Sequence, residues 1–174
     1  MKKKIAILGS TGSIGKNLLN IINKDKKNFK ISLLTAKKNY KILLNQAIRF
    51  KVENIIITNY NSYKKALKIK KNSRINIYNN FNNFDKIFNT KVDYTMSSII
   101  GLDGLYPTLK IIKYTKRIAI ANKEAIICGW NLIEKKLKLH NTKFIPVDSE
   151  HFSIWYALKN NLDKIEKIYL TASG

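Results

Sequence analysis

Cys128 is the only cysteine in the 174-residue chain, so no intramolecular disulfide can form and a reducing compartment is expected. Proline is nearly as scarce, with two occurrences at Pro107 and Pro146, and no proline-rich linker divides the chain. No apolar run approaches the roughly 20 residues that a membrane-crossing helix needs. The amino end, Met1-Lys-Lys-Lys4, runs directly into an apolar stretch too brief for the core of a secretion signal. No membrane partner is expected, and the location these absences suggest is the cytoplasm. Carboxylates are also few, 11 against 33 Lys and Arg, giving a formal net charge of +22. Arginine contributes only Arg49, Arg74 and Arg117 to that excess. Surfaces that read nucleic acid favour arginine, whose planar fork grips phosphate or guanine through two bonds. Here the cations are lysines dispersed among asparagines and isoleucines, which reads as compositional drift rather than a built nucleic-acid face. No specific nucleic-acid partner is expected.

What is present is an ordinary apolar fraction of 45%, enough for a globular core. Short apolar runs alternate with stretches of helical period. Strands are expected at Lys4 to Leu8, Phe29 to Thr35, Asn54 to Thr58, Ile75 to Tyr78, Val92 to Ser97, Arg117 to Ala121 and Lys143 to Val147. Helices are expected after Gly15, where Leu18, Leu19, Ile21 and Ile22 form the apolar face, and over Tyr40 to Phe50, Tyr63 to Ile69, Gly101 to Ile112 (with a loop), Ala125 to Leu139 and His151 to Leu158. A polar loop is expected over Lys159 to Lys164, then a strand over Ile165 to Thr171. Regular alternation of this kind predicts an α/β fold, a Rossmann-like doubly wound parallel sheet with helices on both faces. The pattern assigns 1–147 to that domain, with a change of character after Val147.

Four stretches could carry chemistry. Gly9-Ser-Thr-Gly-Ser-Ile-Gly15 falls between an expected strand and an expected helix, the context of a dinucleotide fingerprint. Glycines let the main chain approach a diphosphate, and the helix start offers free amides and partial positive charge. Thr11 and Ser13 add hydroxyls. A tight turn without ligand is the plainer alternative. Lys37 and Lys38 follow the second strand with no carboxylate between; a cation there suits a 2′-phosphate and hence NADPH, whereas NADH calls for an Asp or Glu. Surface lysines in a lysine-rich chain are the less favoured alternative. Asn122-Lys-Glu124 follows another strand and suits either a cofactor and polar substrate or a helix cap. In Pro146-Val-Asp-Ser-Glu-His151, Asp148 and Glu150 stand two apart and on an extended segment would point the same way. Such a pair suits Mg²⁺ or Mn²⁺, although a solvated turn is the commoner meaning and His151 alone is more often structural.

Together, Ile7-Leu-Gly-Ser-Thr-Gly-Ser-Ile-Gly15, Gly104-Leu-Tyr-Pro-Thr108, Ala119-Ile-Ala-Asn-Lys-Glu124 and Pro146-Val-Asp-Ser-Glu-His151 resemble the 1-deoxy-D-xylulose 5-phosphate reductoisomerase family. The resemblance implies NADPH on Gly9, Thr11, Gly12, Ser13, Ile14 and Gly15. It places Lys37, Lys38 and Asn39 at the adenosine 2′-phosphate and Asn122 and Glu124 also on the cofactor. It implies a sugar phosphate substrate touching Lys123, Ser149 and Ser173, with Asp148 and Glu150 as metal ligands. The implied reaction rearranges 1-deoxy-D-xylulose 5-phosphate and reduces the product with NADPH, giving 2-C-methyl-D-erythritol 4-phosphate for non-mevalonate isoprenoid synthesis. Lys37, Leu102 and Asp103 depart from the smaller residues the family carries there. The family also has a third metal carboxylate, a lid loop and a C-terminal helical domain beyond the stretch matched here, and it is homodimeric through contacts largely outside this segment. The resemblance implies that 148–174 is the truncated start of an α+β catalytic domain. The expectation is a fragment that is not catalytically complete by itself.

Rival readings are an NADPH-binding module without catalysis and another NADP-dependent dehydrogenase. The latter would need its own catalytic group; Tyr60 with Lys64 and Tyr106 with Lys110 have a suitable spacing, and Cys128 lies in an expected helix.

Overall fold

The computed structural model describes residues 1–69, 74–158, 166, 167 and 169. Its strands are β1 (Lys3–Leu8), β2 (Phe29–Ala36), β3 (Asn54–Ile57), β4 (Asn76–Tyr78), β5 (Tyr94–Ser97), β6 (Arg117–Ile120) and β7 (Lys143–Pro146). They form one sheet in the order β4-β3-β2-β1-β5-β6-β7, and every ladder is parallel. The helices are α1 (Ser13–Lys24), α2 (Tyr40–Phe50), α3 (Tyr60–Ile69), α4 (Phe84–Ile87), α5 (Leu105–Ile111), α6 (Lys123–Leu139) and α7 (Ser149–Leu158). This is the doubly wound α/β architecture that the alternation of strand and helix predicts. No helix among the described residues is long and apolar enough to cross a membrane. The strand expected over 165–171 falls on a stretch of which only residues 166, 167 and 169 are described.

Period-two alternation along the strands builds two cores. Ile5 and Ile7 of β1 face a cluster with Leu19 and Ile22 of α1, Leu43 and Leu44 of α2, and Ala66 of α3. Ala6 and Leu8 face the other side, with Phe84 of α4, Ile111 of α5, and Ile133 and Leu137 of α6. In β2 the alternation slips. Ile5 pairs with Ile31 but Ala6 pairs with Leu33, so Ser32 is an extra residue, a bulge. That is why Ile31 and Leu34, three apart, lie in one cluster while Leu33 lies in the other. The apolar face expected of α1 is narrower than its four aliphatics suggest: Leu19 and Ile22 are buried, but Ile21 is 63% exposed.

The order of strands reverses beside β1, where β2 lies on one side and β5 on the other, and loops at such a switch point open a crevice beyond the carboxyl ends of the strands. The turn leaving β1 is fixed by close approach. Gly9 has φ +83°, and a Cβ there would sit 2.8 Å from the Ser98 carbonyl oxygen. A Cβ on Gly15 would sit 2.5 Å from the Gly9 carbonyl oxygen, so α1 can begin directly against the turn only because that position is bare. Polar contacts hold the turn from beneath. The Gly9 amide donates to Thr35 Oγ1 at 2.9 Å and the Ser10 amide to the Thr35 carbonyl at 2.9 Å. Ser10 Oγ donates to Gln46 Oε1 at 2.8 Å, and Gln46 Nε2 returns a bond to the Ser10 carbonyl at 3.0 Å.

At the opposite end of the sheet, Asp93 accepts from the Lys4 amide at 2.8 Å and from Lys116 Nζ at 2.8 Å, tying the approach to β5 to both neighbouring strands. The Lys116 bond, followed by that of Lys4, holds its carboxyl below the ordinary value of 3.8 against the opposing effect of burial.

Two stability predictions follow from these contacts. Thr35→Val keeps the shape of a buried side chain but leaves the Gly9 amide without an acceptor, so urea denaturation should show a loss of about 1–3 kcal/mol; an unchanged midpoint would show that the turn does not depend on that hydroxyl. Asp93→Asn should cost about 0.5–1 kcal/mol at neutral pH, the scale of a solvent-screened pair. Because the folded-state value is depressed, the contribution of Asp93 is present above the unfolded value and is lost as pH falls through the folded one. The gap between variant and parent should therefore narrow in acid; a gap independent of pH would contradict the role of the charge.

Candidate functional site

A cleft of about 820 Å³ opens at the carboxyl ends of β1, β2, β3 and β5. Gly9, Thr11 and Gly12 form one part of its wall, Lys37 and Thr58 a second, and Ser98 to Ile100 a third. The glycine turn therefore meets the crevice that strand order alone places beside β1.

At that turn α1 begins without a side-chain cap and without an acidic residue in its first turn. The amides of Ser13, Ile14 and Gly15 have no acceptor among the described residues. A bare helix start of this kind presents convergent N–H groups and about half a positive charge, and an anion completes it. Thr11 is half-buried, and Ser13 and Ile14 are exposed beside it. A diphosphate fits this cradle because glycine occupies the positions where a Cβ would strike the main chain.

At the end of β2, Lys37, Lys38 and Asn39 are all exposed. Asn39 precedes α2 without making a side-chain cap bond. Lys38 forms no ion pair with the described residues, whereas Lys37 Nζ lies 2.7 Å from Asp103 Oδ2. A carboxylate does therefore reach the end of β2, but from the loop after β5. Residue spacing along the second strand gives no sign of it.

Asn122 resolves in favour of the cap. Its Oδ1 accepts from the Ala125 amide at 3.1 Å, and its Nδ2 donates to the Ile99 carbonyl at 2.6 Å and to the Gly101 carbonyl. The side chain is 4% exposed, so its polar atoms are taken up by the protein's own main chain. Lys123 and Glu124, in the first turn of α6, are exposed.

Asp148 follows β7. Its Oδ1 accepts from the His151 amide at 3.1 Å and meets His151 Nδ1 at 2.6 Å. Burial works to raise this carboxyl, but the amide and imidazole of His151 outweigh it and hold the group below its ordinary value. The other oxygen, Oδ2, is buried without a partner. A buried anionic oxygen with an unused lone pair fits a hard divalent cation. The main chain of Ser149 and Glu150 already belongs to α7, so the extended segment expected to align Asp148 with Glu150 is not formed; the capping bonds of Asp148 start a helix there instead. Among the described residues no group of three or more His, Cys, Asp and Glu is gathered for a metal. Ser173 lies outside the described residues.

The residues that sequence reading passes over are those behind the turn: Ser10, Thr35, Gln46 and Ser98. Ser10 stands inside the glycine run and was the legible one; the contribution of Gln46 depends on how α2 packs. The Tyr–Lys spacings of the rival dehydrogenase reading prove to be stacked pairs. Lys64 Nζ lies 4.6 Å from the Tyr60 ring centre and Lys110 Nζ 5.4 Å from that of Tyr106. The Tyr106 hydroxyl instead donates to Asn82 Oδ1 at 2.5 Å. Cys128 is exposed on α6.

Comparison with known proteins gives a consistent result. Residues 5–129 match the 1-deoxy-D-xylulose 5-phosphate reductoisomerase family, and residues 144–174 match the C-terminal domain described for the same enzyme. The 1-deoxy-D-xylulose 5-phosphate reductoisomerase of Pelagibacter ubique is 62% identical over 175 residues, covering 99% of this chain and 45% of that protein. That of Clostridium kluyveri is 40% identical over 179 residues, covering 99% and 46%. The chain thus spans somewhat less than half the length of these relatives. The Zymomonas mobilis reductoisomerase solved with NADPH superimposes with a TM-score of 0.79 at 30% identity, over 87% of this chain and 40% of that one. A reductoisomerase solved with NADPH, fosmidomycin and magnesium gives 0.81 at 30% identity, over 92% and 41%. An archaeal homoserine dehydrogenase at 14% identity and a TM-score of 0.55 shares the fold alone. With sequence motifs, sheet order and both family matches in agreement, the chain belongs to the 1-deoxy-D-xylulose 5-phosphate reductoisomerase family.

Proposed function

We propose that this chain forms the NADPH-binding portion of an enzyme that converts 1-deoxy-D-xylulose 5-phosphate to 2-C-methyl-D-erythritol 4-phosphate, with residues 1–147 as the cofactor-binding domain and 148–174 opening the catalytic domain. The observation that carries the reading is the uncapped start of α1 facing the cleft at the switch point. The boundary is drawn after β7 because that strand is still paired, parallel, with β6.

In this proposal the amides of Ser13, Ile14 and Gly15 receive the diphosphate, with Gly9 and Gly12 giving it room and the hydroxyls of Thr11 and Ser13 beside it. Lys38, exposed and in no ion pair with the described residues, supplies a cation for the 2′-phosphate, with Lys37 and Asn39 on either side. Asn122 acts as a positioning residue: it holds the 99–101 segment, part of which lines the cleft. Glu124 and Lys123 lie at the exposed start of α6, where the cofactor ribose and the sugar phosphate would meet. Asp148 offers Oδ2 to a divalent metal while His151 keeps its other oxygen occupied, and Glu150, Ser149 and Ser173 join by family resemblance. Bound NADPH would supply the hydride, and the metal would polarise substrate oxygens. Two carboxylates hold Mg²⁺ weakly, because that ion keeps its waters, so metal retention requires further oxygens from the substrate or the protein. Homodimerisation and a cytoplasmic location belong to the same proposal.

Titrating the protein with NADPH and with NADH, followed by reduced-nicotinamide fluorescence, tests the reading. NADPH should bind at least tenfold more tightly than NADH. Lys38→Met should weaken NADPH by about two- to fivefold, the scale of one solvent-exposed charge pair, and leave NADH nearly unchanged. Equal affinity for the two dinucleotides in the parent protein would remove the 2′-phosphate assignment, and no binding of either would remove the cofactor reading altogether.

A further inference from the structure

Lys37 and Asp103 are 66 positions apart, on the loops that follow β2 and β5, and both line the cleft. Their 2.7 Å contact crosses its mouth. The two side chains are 68% and 67% exposed, so charge rather than packing holds them together. The ends of the pair differ in stiffness. Asp103 sits in a short 3₁₀ turn, Leu102–Gly104, pinned by the Gly104 amide on the Gly101 carbonyl at 3.1 Å and by Asn122 on that same carbonyl. Lys37 reaches over on a flexible four-carbon stem.

Resting on the NADPH reading above, we propose that Asp103 is a selectivity-determining residue. Its carboxylate occupies Lys37 as an internal stand-in for the 2′-phosphate and must yield that ammonium when NADPH enters. Carboxylate and phosphate compete for one cation, and Asp103 in addition repels the incoming phosphate. Both effects fall on the phosphorylated dinucleotide alone, since NADH carries a hydroxyl at that place. Asp103 therefore narrows the preference for NADPH that Lys37 and Lys38 create, and Lys37 contributes its full charge only after exchange of partners.

The test measures binding of both dinucleotides, at low and at physiological salt, to the parent protein and to Asp103→Asn, with Asp103→Ala as a second variant and thermal unfolding as a check on folding. Asp103→Asn should tighten NADPH by about three- to fivefold at low salt, the scale of an exposed ion pair, and change NADH by less than twofold. Added salt should shrink the gain, because the interaction is screened. Gains equal for NADPH and NADH, or no gain for NADPH in either folded variant, would overturn the proposal. Failure of the parent protein to bind NADPH would instead strike the cofactor reading, and this inference with it.

Discussion

The bond between the Gly9 amide and the Thr35 hydroxyl, with Ser10 held on the Thr35 carbonyl beside it, ties the first strand's exit to the second strand's end. An amide at a tight turn must find an acceptor when it is withdrawn from water. Here the acceptor comes from the neighbouring strand, so the turn cannot tilt without breaking sheet contacts. With the turn fixed, α1 starts at a set point over the sheet, and its first amides, without an acceptor among the described residues, follow the Gly12 that lines the cleft. The positive φ of Gly9 and the absent Cβ of Gly15 are the steric conditions for the same arrangement.

Around this anchor the electrostatics are divided by location. The glycine cradle gathers backbone donors without any side-chain charge. The end of β2 gathers lysines, one of them already engaged by Asp103. Beyond β7, Asp148 carries a depressed carboxyl with one oxygen held by His151 and the other buried and unmatched. Three chemically different settings, a row of backbone donors, a pair of lysines and a partly buried carboxylate, thus stand along the carboxyl ends of the strands. The large excess of lysine elsewhere adds a diffuse attraction for anionic ligands without shaping any of these sites.

Much of the fold was legible because strand and helix periods differ and alternate cleanly: α2 over Tyr40–Phe50 coincides with its apolar pattern, and the apolar run at Ile55 to Ile57 is a buried strand. The bulge at Ser32 was not legible, since a one-residue slip leaves no mark in composition and shows only in what each neighbour faces. Ile21 of α1 counts as apolar in any pattern, yet the sheet reaches only the side occupied by Leu19 and Ile22. Local chemistry at the site was readable where the backbone itself acts, as in the glycine turn. It was unreadable where two distant loops meet, as Lys37 meets Asp103, and misleading at Asp148 and Glu150, where a helix cap replaces an extended run. Asn122 admitted two meanings in sequence; its bond from the Ala125 amide makes it the cap of α6, while its Nδ2 holds the carbonyls of Ile99 and Gly101.

The Asn122 knot gives the crevice one firm jaw. Because a single amide group both starts α6 and grips the segment after β5, that wall moves as a block with a 17-residue helix or does not move at all. The facing jaw is a lysine stem latched by charge to a surface turn, and it yields at far smaller cost. A ligand entering the cleft therefore meets one wall tied to a helix and another held by a single exposed ion pair.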